Sequence, residues 1–233
     1  MYARELGGQP LTLEASGALY KDALVMYDRE TQTLWTQIDG SGMRGPLAGR
    51  KLKPIPAVQT TWGEWKRQHP ETLVLRKPEK ILNSPYANYA LDPHTFGISG
   101  RQQPDARLPG KALVVGLREG EDALAIPLEK LRKKPLLETT LAGEPILVVY
   151  DPVRNTARVF RSQVGGQVLK FSLAGRGKEK QLLLKDREGN RWEAASGKAI
   201  EGPQAGAALE PVPYLVSYWW AWVAYSPRTR LGP

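Results

Sequence analysis

The chain contains almost the same phrase twice, as DRETQTLW at residues 28–35 and as DREGNRW at residues 186–192. In both places an apolar run leads into Asp-Arg-Glu, and a tryptophan follows shortly afterwards. Two apolar runs that flank a short polar stretch are typical of a β-hairpin. We therefore interpret each phrase as a hairpin tip, with Trp35 and Trp192 on the strands that return from it.

The similarity extends far beyond these hairpins. Residues 2–70 (copy one) align with residues 160–227 (copy two), with a single-residue gap in the turn. Glycine, proline and tryptophan recur at the aligned positions: Gly17 and Gly175, Gly45 and Gly202, Pro54 and Pro211, Trp62 and Trp219, Trp65 and Trp222. Agreement on this scale predicts an internal duplication of one structural unit.

Each copy has the pattern of strands followed by a short helix. Residues 167–173 alternate between apolar and polar side chains, which is the period of a half-buried strand. Thr61 and Glu64 have the spacing of a capping box at a helix N-terminus. These patterns predict a mainly β fold (β-rich α+β), with two pseudo-symmetric repeat units of antiparallel strands that each end in a short Trp-containing helix.

The region between the copies extends the second copy only. Residues 111–126 and residues 144–160 each have the pattern of a hairpin, whereas residues 81–110 are interrupted by prolines and glycines. The predicted organisation has three parts: a first repeat unit at residues 1–80 that is incomplete at its N-terminus, an irregular connector at residues 81–110, and a second, complete repeat unit at residues 111–233.

The chain is basic, with 33 Lys and Arg residues against 24 Asp and Glu residues, a formal net charge of +9. The basic residues are spread along the sequence and mixed with acids, which indicates a solvated surface rather than a nucleic-acid interface. An anion or nucleic-acid binder is therefore a weak alternative. Cysteine is absent, which excludes disulfides and thiolate chemistry, and no apolar run is long enough for a transmembrane segment.

A candidate pocket is predicted on copy one because the two copies differ there. Around the first hairpin, copy one has hydroxyl, aromatic and thioether side chains, whereas copy two has mostly charged ones. If the hairpins stack, eight residues would lie near each other: Ser16, Tyr20, Met26, Tyr27, Asp28, Thr31, Trp35 and Gln37. Two structural alternatives stay open, since Asp28 in a turn usually caps backbone N–H groups and Trp35 usually packs in a core.

The remaining candidate residues favour structural roles. Packing in a core is predicted for the other tryptophans that recur at aligned positions of the two copies: Trp62, Trp65, Trp192, Trp219 and Trp222. His69 and His94 stand alone, without the spacing of a metal pair or a catalytic triad. The sequence therefore predicts no catalytic residue, no metal ligand set and no cofactor within this chain.

Several of these motifs together resemble one known family. LVMYDRET at residues 24–31, GPLAG at residues 45–49 and VVYDP at residues 148–152 are similar to the DUF3179 family, a domain of unknown function. The resemblance covers essentially the whole chain and implies no biochemical activity. It does imply a prokaryotic protein that is exported or membrane-anchored.

The resemblance also implies a segment that this chain lacks. Members of that family usually carry a strand ending in Tyr-Cys-Pro-Leu-Cys-Gly upstream of the point that matches Met1. We therefore expect a chain that is truncated at its N-terminus relative to the usual member. The missing strands would leave an open sheet edge for a protein partner or for self-association.

Two function classes follow from the resemblance. The first is a non-catalytic binding or scaffolding module of the cell envelope. The alternative is a metal-binding or redox protein whose Cys-containing segment, with any bound metal, lies upstream of this chain.

Overall fold

The structure is a computed structural model, and it describes residues 1–76 and 86–233. Strands make up 41% of the described residues and helices 12%, and each of these helices is short. This confirms the prediction of a mainly β protein with several antiparallel sheets. Residues 77–80 of the predicted first unit and residues 81–85 of the predicted connector lie outside the described residues.

Residues 1–76 and 86–110 contain six strands and two helices. These elements are β1 (Glu5–Leu6), β2 (Gln9–Pro10), β3 (Leu13–Tyr20), β4 (Ala23–Asp28), β5 (Leu34–Thr36), β6 (Gly42–Arg44), α1 (Trp62–Gln68) and α2 (Ala87–Leu91). The N–H of Glu64 donates to Oγ1 of Thr61 over 3.3 Å, which is one half of the predicted capping box. Helix α2 lies in the region predicted to be an irregular connector.

Residues 111–233 contain the other strands, two further α-helices and one short 3₁₀ helix, Lys178–Lys180. These elements are β7 (Leu113–Glu119), β8 (Asp122–Pro127), α3 (Leu128–Lys133), β9 (Leu136–Leu141), β10 (Glu144–Asp151), β11 (Thr156–Arg161), β12 (Gln163–Val164), β13 (Gln167–Val168), β14 (Phe171–Arg176), β15 (Leu182–Asp186), β16 (Arg191–Glu193), β17 (Ala199–Glu201), β18 (Leu215–Tyr218), α4 (Trp219–Tyr225) and β19 (Arg230–Leu231). The predicted hairpins β7–β8 and β10–β11 are both present and antiparallel. Strand β9, which pairs with the other side of β10, is not among the predicted strands.

Two of the sheets have the same construction. One has the order β3-β4-β5-β6 and the other the order β14-β15-β16-β17, and both are antiparallel throughout. In each, the pairing of the first two strands shifts at a bulge that contains a glycine, Gly17 with φ +78° or Gly175 with φ +80°. Glycine adopts this left-handed conformation at little cost, so the bulge follows from the sequence.

The other sheets are smaller or mixed. Strands β9, β10 and β11 form a three-stranded antiparallel sheet with β10 in the middle. A four-stranded sheet has the order β18-β7-β8-β19, and its β8–β19 pair is parallel. The pairs β1–β2 and β12–β13 are two-stranded ribbons.

The chain divides into two compact units. Unit 1 comprises Met1–Ile55, Lys66–Leu113 and Ser217–Arg228, and unit 2 comprises Pro56–Trp65, Val114–Val216 and Thr229–Pro233. In unit 2, strand β10 is buried on both faces, because Ile146 and Val148 belong to one core cluster and Leu147 and Val149 to another. This accounts for the continuous apolar run of β10, which an alternating strand would lack.

The repeated phrase of the sequence has a structural cause. The indole Nε1 of Trp35 donates to Oδ2 of Asp28 over 2.8 Å, and Nε1 of Trp192 donates to Oδ2 of Asp186 over 2.9 Å. Both tryptophans are 0% exposed. A buried indole N–H needs an acceptor and a buried carboxylate needs donors, so each pair satisfies both groups. Trp35 and Trp192 therefore both lie in a core, consistent with the packing interpretation.

The helix tryptophans differ between the copies. Trp219 and Trp222 of α4 are buried, as predicted, but Trp62 and Trp65 of α1 are 50% and 39% exposed. The two tryptophans of α1 are therefore less covered than those of α4. The buried residue of α1 is Glu64. Successive residues of an α-helix are rotated by about 100°, so Trp65, one position later, and Trp62, two positions earlier, point in other directions.

Candidate functional site

Half of the predicted pocket residues on copy one lie in or against the core beside the β4–β5 hairpin. Oδ1 of Asp28 accepts from the backbone N–H of Thr31 over 2.5 Å, and the hydroxyl of Thr31 donates to the same carboxylate. Trp35 donates to it from the other strand, and Met26 packs against the cluster that contains Trp35. Asp28 is 0% exposed, so these four side chains hold the hairpin together.

Three more of the predicted residues lie apart from a common site. The hydroxyl of Ser16 donates to the carbonyl of Val25 over 2.6 Å, within its own hairpin. The hydroxyl of Tyr27 donates to Glu14 over 2.5 Å. Gln37 contributes its backbone carbonyl, which accepts from the hydroxyl of Tyr2 over 3.0 Å.

The hairpin aspartates are held in their ionised form. Burial alone would raise the pKa of Asp28, but hydrogen bonds from Trp35 and Thr31 outweigh it and hold that pKa below its ordinary value. Burial would likewise raise the pKa of Asp186, and hydrogen bonds from Asn190 and Trp192 keep it below the ordinary value. Each carboxylate therefore stabilises the fold most when it is charged.

This predicts a specific acid sensitivity. Because the folded-state pKa of both aspartates is depressed, their stabilisation is fully present above the ordinary aspartate value of 3.8 and is lost as the pH falls through the folded value. Denaturant unfolding between about pH 5 and about pH 2 should therefore show a falling free energy of unfolding. Asp28→Asn with Asp186→Asn should lower the stability at pH 7 and flatten that slope. An equal slope in the variant would contradict this role.

A cavity of about 390 Å³ lies within unit 1, where the tip of the β3–β4 hairpin meets the turn between β5 and β6. Its lining residues are Tyr20, Lys21, Thr36, Asp39, Ser41, Gly42, Met43 and Tyr225. Of the eight residues predicted for a copy-one pocket, Tyr20 is the one that lines this cavity. The cavity therefore lies on the predicted copy, but it is built mostly from other residues.

The hairpin tip between β3 and β4 presents Tyr20 and Lys21 to the cavity. Lys21 and Asp22 have φ values of +50° and +57°, as a type I′ turn requires at both central positions. The carboxylate of Asp22 accepts from the N–H and hydroxyl of Ser99 and from the amide of Gln102. These three hydrogen bonds fix the tip in an otherwise uncommon backbone conformation.

Lys21 lies against two tyrosine rings. Its Nζ donates to the carbonyl of Ala224 over 2.5 Å and lies 5.5 Å and 5.2 Å from the ring centroids of Tyr20 and Tyr225. These distances are within the range of cation–π attraction. The hydroxyl of Tyr225 donates to the carbonyl of Tyr20 over 2.5 Å, and the rings meet edge to face. Burial, followed by the charge of Asp39, raises the pKa of Tyr225, which keeps its hydroxyl protonated.

Asp39 supplies the negative charge of the cavity. The hydroxyl of Ser41 donates to Oδ2 of Asp39 over 2.9 Å, and the hydroxyl of Thr36 donates to Oδ1. The backbone N–H of Ser41 also lies 3.3 Å from Oδ1. The carboxylate is therefore held in one orientation by its own turn between β5 and β6.

The aligned positions of copy two carry different chemistry. Tyr20, Lys21, Thr36, Asp39, Ser41 and Met43 align with Lys178, Glu179, Glu193, Ser196, Lys198 and Ile200. The hydroxyl–carboxylate pair is reversed there, because Ser196 donates to Glu193. Tyr225 belongs to α4 of copy two, and its aligned position in copy one is Gln68. The combination of aromatic rings with one ammonium and one carboxylate group is thus particular to the copy-one cavity.

The sequence held a partial signal for this site. The stretch Ser16–Asp22 differs from its counterpart in copy two, and that stretch contains Tyr20 and Lys21, which line the cavity. Asp39 and Ser41 have no motif spacing that marks them. Tyr225 lies 205 residues from Tyr20, and no periodicity links the two.

A second cluster of charged side chains lies in unit 2. A guanidinium nitrogen of Arg154 lies 3.1 Å from Glu64 and another lies 3.8 Å from Asp151, while Arg176 lies 2.7 Å from Asp151. The side chains of Glu64, Arg154 and Asp151 are 8%, 9% and 11% exposed. Each charge in this cluster has a partner of opposite sign, and the cluster joins the start of α1 to the β10–β11 turn. We assign it a structural role.

In the part of the chain that the structure describes, no three His, Cys, Asp or Glu side chains are grouped so as to hold a metal ion. Within residues 1–76 and 86–233, no helix has the length and apolar character needed to cross a bilayer.

Comparison with known protein families identifies a match over almost the whole chain. The family model described as "Protein of unknown function (DUF3179)" matches residues 1–229. No curated protein and no solved structure matches the chain.

Proposed function

The chain belongs to the DUF3179 family, and on that premise we propose that it is a non-catalytic binding module whose binding site is the copy-one cavity. The ligand is a small polar molecule. The compartment we propose is the cell envelope, in line with the exported or membrane-anchored character that the family resemblance implies. The observation that carries the proposal is the pairing of an oriented carboxylate with an ammonium group in one aromatic-lined cavity.

A cavity of this kind suits binding because its polar groups are fixed before a ligand arrives. Asp39 is oriented by Ser41 and Thr36, and Lys21 is oriented by Ala224 and two rings. Groups that are already ordered lose little conformational entropy on binding, so more of the contact energy appears as affinity. Small-molecule sites usually combine aromatic side chains with a few polar groups in fixed positions.

The same groups are poorly arranged for catalysis. The eight lining residues include neither histidine nor cysteine. Tyr225 is kept protonated by its raised pKa. Ser41 donates its hydroxyl proton to a carboxylate that is itself a weak base, unlike the Ser–His arrangement that activates a nucleophile. Binding is therefore the function that this geometry favours.

We further propose that the two copies arose by duplication and that copy one then acquired the binding site. Equivalent backbone hydrogen bonds support the duplication. The N–H of Gly42 donates to the carbonyl of Arg50 in copy one, as Ala199 does to Ala207 in copy two. Likewise, Leu52 donates to Gly40 in copy one, as Leu209 does to Gly197 in copy two. Equivalent glycines also approach equivalent rings, since Gly40 lies against Tyr2 and Gly197 against Phe160. On this account copy two keeps the scaffold while its cavity positions have diverged.

The test is a ligand screen with matched variants. Thermal-shift measurements on the full chain would use a panel of monosaccharides, amino acids and small carboxylic acids. We expect at least one probe to stabilise the wild type, and Asp39→Asn to weaken that probe about tenfold or more, because hydrogen bonds to charged groups contribute about 1.5–3 kcal/mol. Glu193→Gln, at the copy-two position aligned with Thr36, is the control and should bind normally. A probe that binds Asp39→Asn and wild type equally would contradict the proposed site.

A further inference from the structure

The chemical class of the ligand follows from the groups that line the cavity, on the assumption that the cavity is the binding site proposed above. We infer that it takes a neutral, polyhydroxylated molecule of about one sugar ring, that is, a monosaccharide unit. Three properties of the lining carry this inference: its charge balance, its exposed aromatic ring and its size.

The charge of the lining favours a neutral ligand. Lys21 and Asp39 are the charged members of the eight lining residues, and they have opposite signs. An organic anion would be attracted by Lys21 but repelled by the carboxylate of Asp39. An organic cation would be attracted by Asp39 but repelled by Lys21. A neutral molecule suffers neither repulsion.

The hydrogen-bonding groups suit hydroxyls in particular. An ammonium group has three N–H donors, and Lys21 uses one of them on Ala224. A carboxylate such as Asp39 can only accept. A sugar hydroxyl donates and accepts at the same time, so neighbouring hydroxyls can accept from Lys21 and donate to Asp39 without any change of protonation. An amino-acid zwitterion is the competing ligand, with its carboxylate on Lys21 and its ammonium group on Asp39.

The aromatic residues supply the apolar contact that a sugar ring needs. Tyr20 is 41% exposed and lines the cavity. A tyrosine offers a rigid, amphipathic surface at low entropic cost. The C–H face of a sugar can lie on such a ring while its hydroxyls reach the polar groups. A zwitterionic amino acid such as glycine has no comparable face.

The size of the cavity suits a small ligand. Its volume of about 390 Å³ is near the lower end of the roughly 300–1,000 Å³ range of small-molecule sites. One sugar ring is suited to such a volume, whereas a long oligosaccharide would extend beyond it.

The experiment is isothermal titration of the full chain with three probe classes. The saccharides are D-glucose, D-galactose and N-acetyl-D-glucosamine, the amino acids are glycine and L-serine, and the anion is succinate. We expect a saccharide to bind, with an affinity that changes less than about twofold between about 50 mM and about 500 mM NaCl because the ligand is neutral. Tyr20→Ala and Ser41→Ala should each weaken the affinity for the saccharide about fivefold or more, and Glu193→Gln should leave this affinity unchanged.

The outcomes separate this inference from the proposed function. Binding of glycine, L-serine or succinate that weakens in Asp39→Asn or Lys21→Met, and that falls with salt, would overturn the saccharide assignment and leave the cavity as the binding site. Failure of every probe in the wild-type protein would overturn both. The unfolding midpoint of each variant shows whether it is folded, and affinities are compared only between folded variants and the wild type.

Discussion

Trp192→Ala is expected to lower the free energy of unfolding by about 3–5 kcal/mol. Trp192 is 0% exposed, and its ring meets Phe171 edge to face with centroids 5.7 Å apart. Truncation removes this packing and leaves a cavity in the core of unit 2. It also removes the indole donor from the buried carboxylate of Asp186, which adds a desolvation cost.

Chemical denaturation at pH 7 would measure the loss, and two further variants would divide it. Trp192→Phe keeps most of the apolar volume but removes the N–H donor, so we expect a loss of about 1–3 kcal/mol. Trp62→Ala is the control, because that side chain is 50% exposed, and its cost should stay below about 1 kcal/mol. Equal losses for Trp62→Ala and Trp192→Ala would contradict the assignment of Trp192 to the core.

Arg154→Ala is expected to lower the free energy of unfolding by about 3–5 kcal/mol. The change leaves Glu64, whose side chain is 8% exposed, without the guanidinium that lies 3.1 Å from it. It also removes the hydrogen bond from Arg154 to the carbonyl of Glu179. Removing a partner of a buried charge costs far more than removing a partner of an exposed charge, so this change should be more destabilising than the loss of a surface ion pair.

Denaturant midpoints would measure this effect against an exposed ion pair. Lys133 and Glu129 lie 2.6 Å apart, but their side chains are 76% and 75% exposed. Lys133→Ala should therefore cost less than about 1 kcal/mol, although its ion pair is the shorter of the two. If Arg154→Ala cost no more than Lys133→Ala, the cluster around Glu64 would be accessible to water and the structural role assigned to it would be wrong.

The sequence was sufficient for the local parts of the fold. The hairpin of β4 and β5 follows from its flanking apolar runs, and the burial of Trp35 and Trp192 follows from the behaviour of indoles on β-strands. The β7–β8 and β10–β11 hairpins were predicted for the same reason. Each of these features depends on residues that are close in the chain, where periodicity and turn chemistry are strong signals.

The features that depend on distant residues could not be predicted. Whether the tryptophans of α1 are covered depends on what packs on that helix, and the same motif is buried in α4 and exposed in α1. The cavity depends on the meeting of Tyr20 with Tyr225 across 205 positions. The difference between the two copies pointed to Tyr20, which lines the cavity, but not to Asp39, because no motif marks a single carboxylate in a turn.

The central claim is that the copy-one cavity is the binding site, and an amide chemical-shift map tests it most directly. The isotopically labelled full chain would be titrated with the strongest-binding probe of the three classes. We predict that the largest shifts fall on Tyr20, Lys21, Asp39, Ser41, Met43 and Tyr225, and that the aligned copy-two residues Glu193, Ser196 and Lys198 stay unshifted. Shifts centred on the copy-two residues or elsewhere in the chain, or no saturable shift at all, would contradict the claim.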